Sequence, residues 1–396
     1  MSRLIYLDNA ATTRVKDDVL QQMLPYFTQS YGNPSSVYGF AQEARAAVEK
    51  ARTRAAELIG ATPHEIYFTS GGSEADNWAL KSVVKTYAAK GKHIITSKIE
   101  HSAILKTCEK LHNEGVEITY LDVDENGKIS LEELSNAIRE DTILISIMTA
   151  NNEVGTLQPI KEIGCIAHEK GVLFHTDAVQ AYGHIPIDVN EFNIDLLSAS
   201  GHKLHGPKGV GILYVRTGTQ IGSFIDGGAQ ERGRRAGTIN TPGIVGMGAA
   251  ALYAKENLIK AKEQQESLRD YFIKKVLSDI PYTKLNGHVS DRLPGNLNFT
   301  FSFASGESLI ILLDQAGICA SSGSACASGS TSPSHVLTAM GLSEKQAGSS
   351  VRFSLSDETT KEEIDITVEE LKRIVTKLRG MSLEYKNFLN DGLQSK

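Results

Sequence analysis

With 396 residues, 41% of them apolar and 22% charged, the chain has ordinary globular composition and enough length for one large core plus a smaller second domain. A formal net charge of -6 leaves no general basic field, which argues against nucleic acid as a main partner. The apolar run near the N-terminus is too short for a signal peptide. The longest apolar stretch, IVGMGAAALYA, is too short and glycine-broken to span a bilayer, so a cytoplasmic protein without a membrane span is expected.

From about Ala41 to Tyr214 helix-like and strand-like segments alternate. The Ala/Glu/Arg-rich run AQEARAAVEKARTRAAELIG predicts a helix; it is followed by a strand at EIYFTS and a helix from Ser73. Further strands are predicted at HIITS, EITYLDV, TILISIM, VLFHTD and DLLSAS, with helical stretches between them. Such alternation implies right-handed crossovers and a mainly parallel sheet covered on both faces, an α/β fold. The polar helix KENLIKAKEQQESLRDYFIKKVL then leads to short strands (NLNFTF, GICAS, SVRFSL) and helices that read as a smaller α+β domain. The expected boundaries are a large domain at 16–257 and a small one made of 1–15 with 258–396.

Asp122 to Glu133, DVDENGKISLEE, matches the calcium-loop pattern D-x-[DN]-x-[DN]-G-x5-E. An EF-hand loop lies between two helices, whereas VEITYL before it is β-branched and aromatic. A strand, an Asn-Gly turn and a helix capped by Ser130 are expected instead, and no metal site.

The four cysteines make no disulfide scaffold and no C-x-x-C pair. Cys108 and Cys165 lie in helical patterns and Cys319 follows an apolar run, so all three read as packing residues. Cys326, within ICASSGSACASGSTSPSH, has only small neighbours and no apolar group to pack it, which suggests a reactive thiol.

Ligands of open α/β sheets bind outside the carboxyl ends of the strands. After EIYFTS, residues Gly71, Gly72 and Ser73 open a helix where backbone N–H groups and the helix dipole favour a phosphate. After HIITS comes His101; after TILISIMTA come Asn151, Asn152 and Glu153; after VLFHT come Asp177 and Gln180. DLLSASGHKLHGPKGVG ends a strand with Ser200, His202 and Lys203 in a glycine-flanked turn. A phosphate cradle, an acid and a lysine at the ends of one sheet fit pyridoxal 5'-phosphate: the lysine forms a Schiff base and the acid keeps the ring nitrogen protonated. A dinucleotide site would lack G-x-G-x-x-G after the first strand and give Lys203 no role.

The segments YLDNAATT, YGNPSS, TSGGSEADN, IEHSAI, TANNEVGTLQPI, FHTDAVQA, SASGHKLHGPKGVG, ERGRRAGT, SSGSACASG and VRFSLS, from Tyr6 to Ser356, resemble in kind and order the motifs of the cysteine desulfurases of the NifS/IscS type. These are fold type I pyridoxal-phosphate enzymes of the class V aminotransferase family. The resemblance implies that the large domain binds the cofactor through Lys203, with His101 stacked on its ring and relaying protons. It places Asp177 at the pyridine nitrogen, Gln180 at the phenolic oxygen, and Gly72, Ser73, Ser200 and His202 at the phosphate, with Thr238 reaching in from the second subunit of a homodimer. Asn152 and Arg352 would bind the carboxylate of L-cysteine. Cys326, carried by the small domain, would take the sulfur as a persulfide, release alanine and pass the sulfur to an acceptor such as an iron–sulfur scaffold. Tyr38, Thr149 and Ser356 depart from common residues of the family without touching a group of assigned role. Two other pyridoxal-phosphate reactions compete: an aminotransferase, which needs no thiol, and a selenocysteine lyase, which differs in the chalcogen. A calcium-binding scaffold built on DVDENGKISLEE is the alternative of a different class.

Overall fold

The computed structural model describes residues 4–322 and 333–394. A two-residue strand, β1 (Ile5–Tyr6), comes first. The main sheet follows: β2 (Ile66–Thr69), β3 (His93–Ser97), β4 (Glu117–Leu121), β5 (Thr142–Ser146), β6 (Leu173–Asp177), β7 (Leu196–Ser200) and β8 (Gly211–Val215). These seven strands lie in the order β2-β8-β7-β6-β5-β3-β4. Strands β7, β6, β5, β3 and β4 pair in parallel, and β8 runs antiparallel to both β7 and β2. Every residue of β2, β3, β5, β7 and β8 is buried, the signature of a sheet covered on both faces, whereas β4 at the edge buries only Leu121. The α/β fold with a mainly parallel sheet is thus present, and six of its strands coincide with the sequence-predicted runs. The seventh, β8, is the GILYV run that the glycine-rich turn before it obscures.

The helix Gly39–Glu57 presents Ala41, Ala44, Val48, Ala51 and Ala55 to the core, where it meets the long helix Thr241–Asp279. That second helix has 39 residues and starts well before the predicted Lys255. Asn240 caps it, accepting from the Gly243 N–H at 3.1 Å, and Pro242 sits in its first turn. Its glycines read as breakers in the sequence but serve close packing: a Cβ on Gly248 would lie 2.5 Å from that of Ala51. The stretch IVGMGAAALYA is therefore the buried first half of a helix. No helix among the described residues is long and apolar enough to cross a membrane.

The same helix ends against a second core. Here Phe272 and Val276 pack with an antiparallel sheet of β9 (Thr283–Leu285), β10 (Asn296–Phe301) and β12 (Ser350–Ser354), ordered β12-β10-β9. Between β10 and β12 in sequence, β11 (Ile318–Cys319) pairs in parallel with β1, which brings Ile5 and Leu7 into this core.

The DVDENGKISLEE segment follows β4, where an EF-hand would need a helix. Asp124 Oδ1 accepts from the N–H groups of Asn126 and Lys128 at 2.9 and 2.8 Å, and Ser130 caps the helix Leu131–Ala137 through the Glu133 N–H. Cys108 is buried and its thiol is pushed up to about 12 by burial. Cys165 does not pack as expected: in the helix Ile160–Glu169 the buried face is Ile160, Ile163, Gly164 and Ala167, and position 165 falls on the solvent side.

One buried ion pair fastens the 230–240 segment to the body. Arg52 donates to Glu231 Oε2 and Oε1 at 2.8 and 2.9 Å and to the Ile66 carbonyl at 2.9 Å, while Glu231 also accepts from the Phe68 N–H. Arg52→Ala would leave a buried carboxylate without its cation, at a cost of about 3–5 kcal/mol. Urea denaturation should show a lower midpoint with an unchanged m-value; an unchanged midpoint would mean that the pair contributes nothing net.

Candidate active site

The carboxyl ends of the parallel strands meet β12 of the second sheet around a cleft with about 290 Å³ of free volume. Gly72 and Ser73 line it at the start of the helix Gly72–Thr86, and Gly72 has no room for a side chain because a Cβ there would lie 2.5 Å from Val179 Cγ2. His101 lines it as the N-cap of the helix Ser102–Asn113. Its Nδ1 accepts from the Ala103 N–H at 3.2 Å, which leaves Nε2 as the protonated ring atom of the neutral form.

Asp177 ends β6 and is 6% exposed. Its Oδ1 accepts from the Val179 N–H at 2.9 Å. Burial pushes its carboxyl above the usual range, and His101, that N–H and Lys203 pull it back. Gln180 is fixed by donation to the Ala10 carbonyl at 3.0 Å.

The turn after β7 supplies Ser200, His202 and Lys203, all lining the cleft. Lys203 Nζ donates to the carbonyls of Ala10 and Ala11 at 2.5 and 2.8 Å, and its own carbonyl accepts from His184 Nε2 at 2.8 Å. His202 Nδ1 lies 3.1 Å from Thr12 Oγ1, and burial, with Lys203 and Lys208 nearby, pulls its imidazole down to about 4. It is neutral at physiological pH.

From the other sheet comes Arg352, 1% exposed. It donates to Asp8 Oδ1 at 2.8 Å and to the Asn152 carbonyl at 3.0 Å. Asn152 and Arg352 both line the cleft. Asn151 does not: its side chain is spent inside the loop, donating to the Ile99 carbonyl and accepting from the N–H groups of Glu153 and Val154. Thr238 is exposed and lies outside the lining, and Cys326 falls outside the described residues.

Sequence reasoning missed the carbonyls of Ala10 and Ala11, the Asp8 partner of Arg352, and Asp76. The DNAA run was the available signal, since an aspartate followed by two small residues beside a strand leaves backbone groups open to a neighbour. Asp76 had none, because it reads as a solvent-facing helix residue.

Residues 5–367 match the model of the family described as Aminotransferase class-V. The chain belongs to that family. Its enzymes of the desulfurase type depend on pyridoxal 5'-phosphate, and among these lie its relatives. The chain is 54% identical to "Cysteine desulfurase IscS" of Methanosarcina thermophila, over 96% of this chain and 94% of that one. Among solved structures it is similar to one described as "NIFS-LIKE PROTEIN", with a TM-score of 0.89 and 40% identity over 94% of this chain and all of that one. It is also similar to one described as "SspA in complex with cysteine", with a TM-score of 0.80 and 39% identity over 90% of this chain and all of that one. The enzyme's cleft fits the cofactor by its donor set: an amine for an aldehyde, a buried acid for a basic ring nitrogen and a helix start for a phosphate. The buried Asp76 Oδ1, which has no hydrogen-bond partner among the described residues, belongs to a side chain that lines the same cleft.

Proposed function

We propose that this cysteine desulfurase converts L-cysteine to L-alanine and delivers the sulfur, through a persulfide on Cys326, to an acceptor protein such as an iron–sulfur scaffold, working as a homodimer in the cytoplasm. The observation that supports the reading best is the meeting of Lys203 and Asp177 from one sheet with Arg352 from the other, in one buried cleft. In this reading residues 16–257 form the cofactor-binding domain, and 1–15 with 258–396 the small domain that carries Cys326.

When bound, pyridoxal 5'-phosphate supplies an electron sink for the carbon that bears the substrate's amino group. Lys203 holds it through its amine and later moves protons at that carbon. Asp177 would hold the ring nitrogen and Gln180 the phenolic oxygen, and His101 would contact the ring and offer Nε2 for proton transfer. Gly72, Ser73, Ser200 and His202, with Thr238 of the partner subunit, hold the phosphate; a neutral His202 does so as a hydrogen-bond donor. Arg352 and Asn152 hold the substrate carboxylate. The Cys326 thiolate attacks the substrate sulfur, a sulfur–sulfur bond forms and the carbon–sulfur bond breaks. The carbon keeps the electron pair and takes a proton, which makes alanine.

The test is to incubate the holoenzyme with L-cysteine and a thiol reductant and to measure alanine and sulfide, which should appear in equal amounts. Consumption of a 2-oxo acid without alanine release from cysteine would make the protein an aminotransferase instead. Arg352→Lys should raise KM for cysteine about tenfold with a smaller change in kcat, because the planar fork that grips a carboxylate is lost while the charge remains. An unchanged KM would remove Arg352 from the substrate site.

A further inference from the structure

Asp76 is the one acid of the cleft that the mechanism does not use. It projects from the helix Gly72–Thr86, is 1% exposed, and lines the cleft together with Asp177 and His101. One ligating atom from each of these three side chains lies within 4.8 Å of the others.

The groups around Asp76 decide its charge. From β6, His175 lies with Nε2 3.8 Å from Asp76 Oδ1, but both of its ring nitrogens are engaged, Nδ1 with Ser146 Oγ at 2.9 Å and Nε2 with Ser198 Oγ at 3.0 Å. Burial pulls His175 down to about 3, so it offers no cation. From β7 comes one neutral hydrogen bond, from Ser198. One relay satisfies the set: Ser146 donates to His175, Nε2–H donates to Ser198, and the Ser198 hydroxyl donates to Asp76. Asp76 Oδ1 is left without a hydrogen-bond partner among the described residues. Before the helix Ser102–Asn113 stand Glu100, a further acid that burial pushes up to about 8, and His101.

Asp177 is placed differently, with a backbone N–H on Oδ1 and with His101 and Lys203 close enough to favour its charge. Two buried carboxyls this close do not both ionise, and the one with Lys203 and a backbone N–H beside it loses its proton first. Burial, the Asp177 charge and Glu100 all hold the proton on Asp76.

We propose that Asp76 is a positioning residue that acts through Asp177: it stays neutral beneath the cofactor site, so that Asp177 is the sole carboxylate presented to the ring nitrogen, and its hydroxyl is a hydrogen donor to that site. The proposal rests on the reading that Asp177 meets the ring nitrogen. An ionised Asp76 would place a second anion there and over-stabilise the ring proton.

The test titrates the apo forms of wild type, Asp76→Asn, Asp76→Ala and Asp177→Asn with pyridoxal 5'-phosphate between pH 6 and 9, reading affinity and the pH dependence of the bound cofactor's absorbance. Asp76→Ala should weaken binding about tenfold, and Asp76→Asn, neutral and still a donor, should restore most of that affinity and the wild-type pH profile. Two results overturn the proposal while leaving the Asp177 reading intact: an Asn variant as weak as the Ala variant or with a profile shifted by a pH unit or more, and an Ala variant that binds like wild type. If Asp177→Asn binds and titrates like wild type, the Asp177 reading itself fails, and the proposal with it.

Discussion

Lys203→Ala is expected to lose at least about 10³-fold in alanine formation from cysteine, because in the proposed mechanism it removes both the amine that holds the cofactor and the group that moves protons at the substrate carbon. The fold should survive. The turn after β7 is held by backbone bonds that do not involve the side chain, among them Gly201 N–H to the Val210 carbonyl at 3.0 Å and Gly206 N–H to the Gly201 carbonyl at 2.9 Å. The His184 bond to the carbonyl of residue 203 is likewise independent of the side chain. What the variant loses is an ammonium pre-set by the Ala10 and Ala11 carbonyls at the mouth of the turn. Lys208, the other lysine of the motif, lies beyond Pro207, is exposed and does not line the cleft. Borohydride treatment of the holoenzyme followed by peptide mapping should therefore find the cofactor on Lys203. A mass found on Lys208, or a Lys203→Ala enzyme that keeps turnover and cofactor colour, would overturn the assignment.

What the sequence disclosed about this site follows from geometry that is local in the chain. Lys203, Asp177, His101 and Gly72 each lie within a few residues of a strand end, and a strand end can be read from the apolar run that precedes it. Their convergence follows from the parallel sheet, which lines up the carboxyl ends of β2, β3, β6 and β7 whatever the helices between them contain. Arg352 was legible only as a planar cation on a strand, or by resemblance. That it enters the same cleft depends on the second sheet packing against the first, and no local pattern encodes this.

The misses have the same origin. Asp8 and the Ala10 and Ala11 carbonyls act across about 190 to 340 residues of sequence, as partners of Lys203 and Arg352. The early start of the helix Thr241–Asp279 was hidden because helix propensity penalises glycine. The close approach to Ala51 that requires Gly248 is a tertiary fact. Cys165 escapes the expected burial because a helical pattern does not by itself fix which face a residue occupies: one residue's shift around the helix moves it from the core face to water.

Cys326→Ala is expected to separate sulfur from selenium chemistry. The residues described on either side of Cys326 are anchored at the cleft. Ser321 pairs with the Arg352 backbone, N–H to carbonyl at 3.1 Å and carbonyl from N–H at 2.7 Å. Ser334 Oγ donates to the buried Glu153 at 2.5 Å, and His335 Nε2 lies 3.0 Å from the carbonyl of Glu100, the neighbour of His101. Five residues of extended chain from Ser321 span at most about 17 Å, a length that permits the proposed attack on a substrate bound at Arg352. Breaking the carbon–sulfur bond of cysteine needs a nucleophile to take the sulfur, and alanine offers none. Alanine formation from cysteine should fall at least about 10²-fold while the cofactor's absorbance stays that of wild type. Selenium forms the weaker bond to carbon and the more acidic hydride, so it leaves with less help. The variant should therefore keep much of its alanine formation from selenocysteine. A variant without bound cofactor would mark Cys326 as structural, and one that releases alanine from cysteine at the wild-type rate would rule out a persulfide at this position.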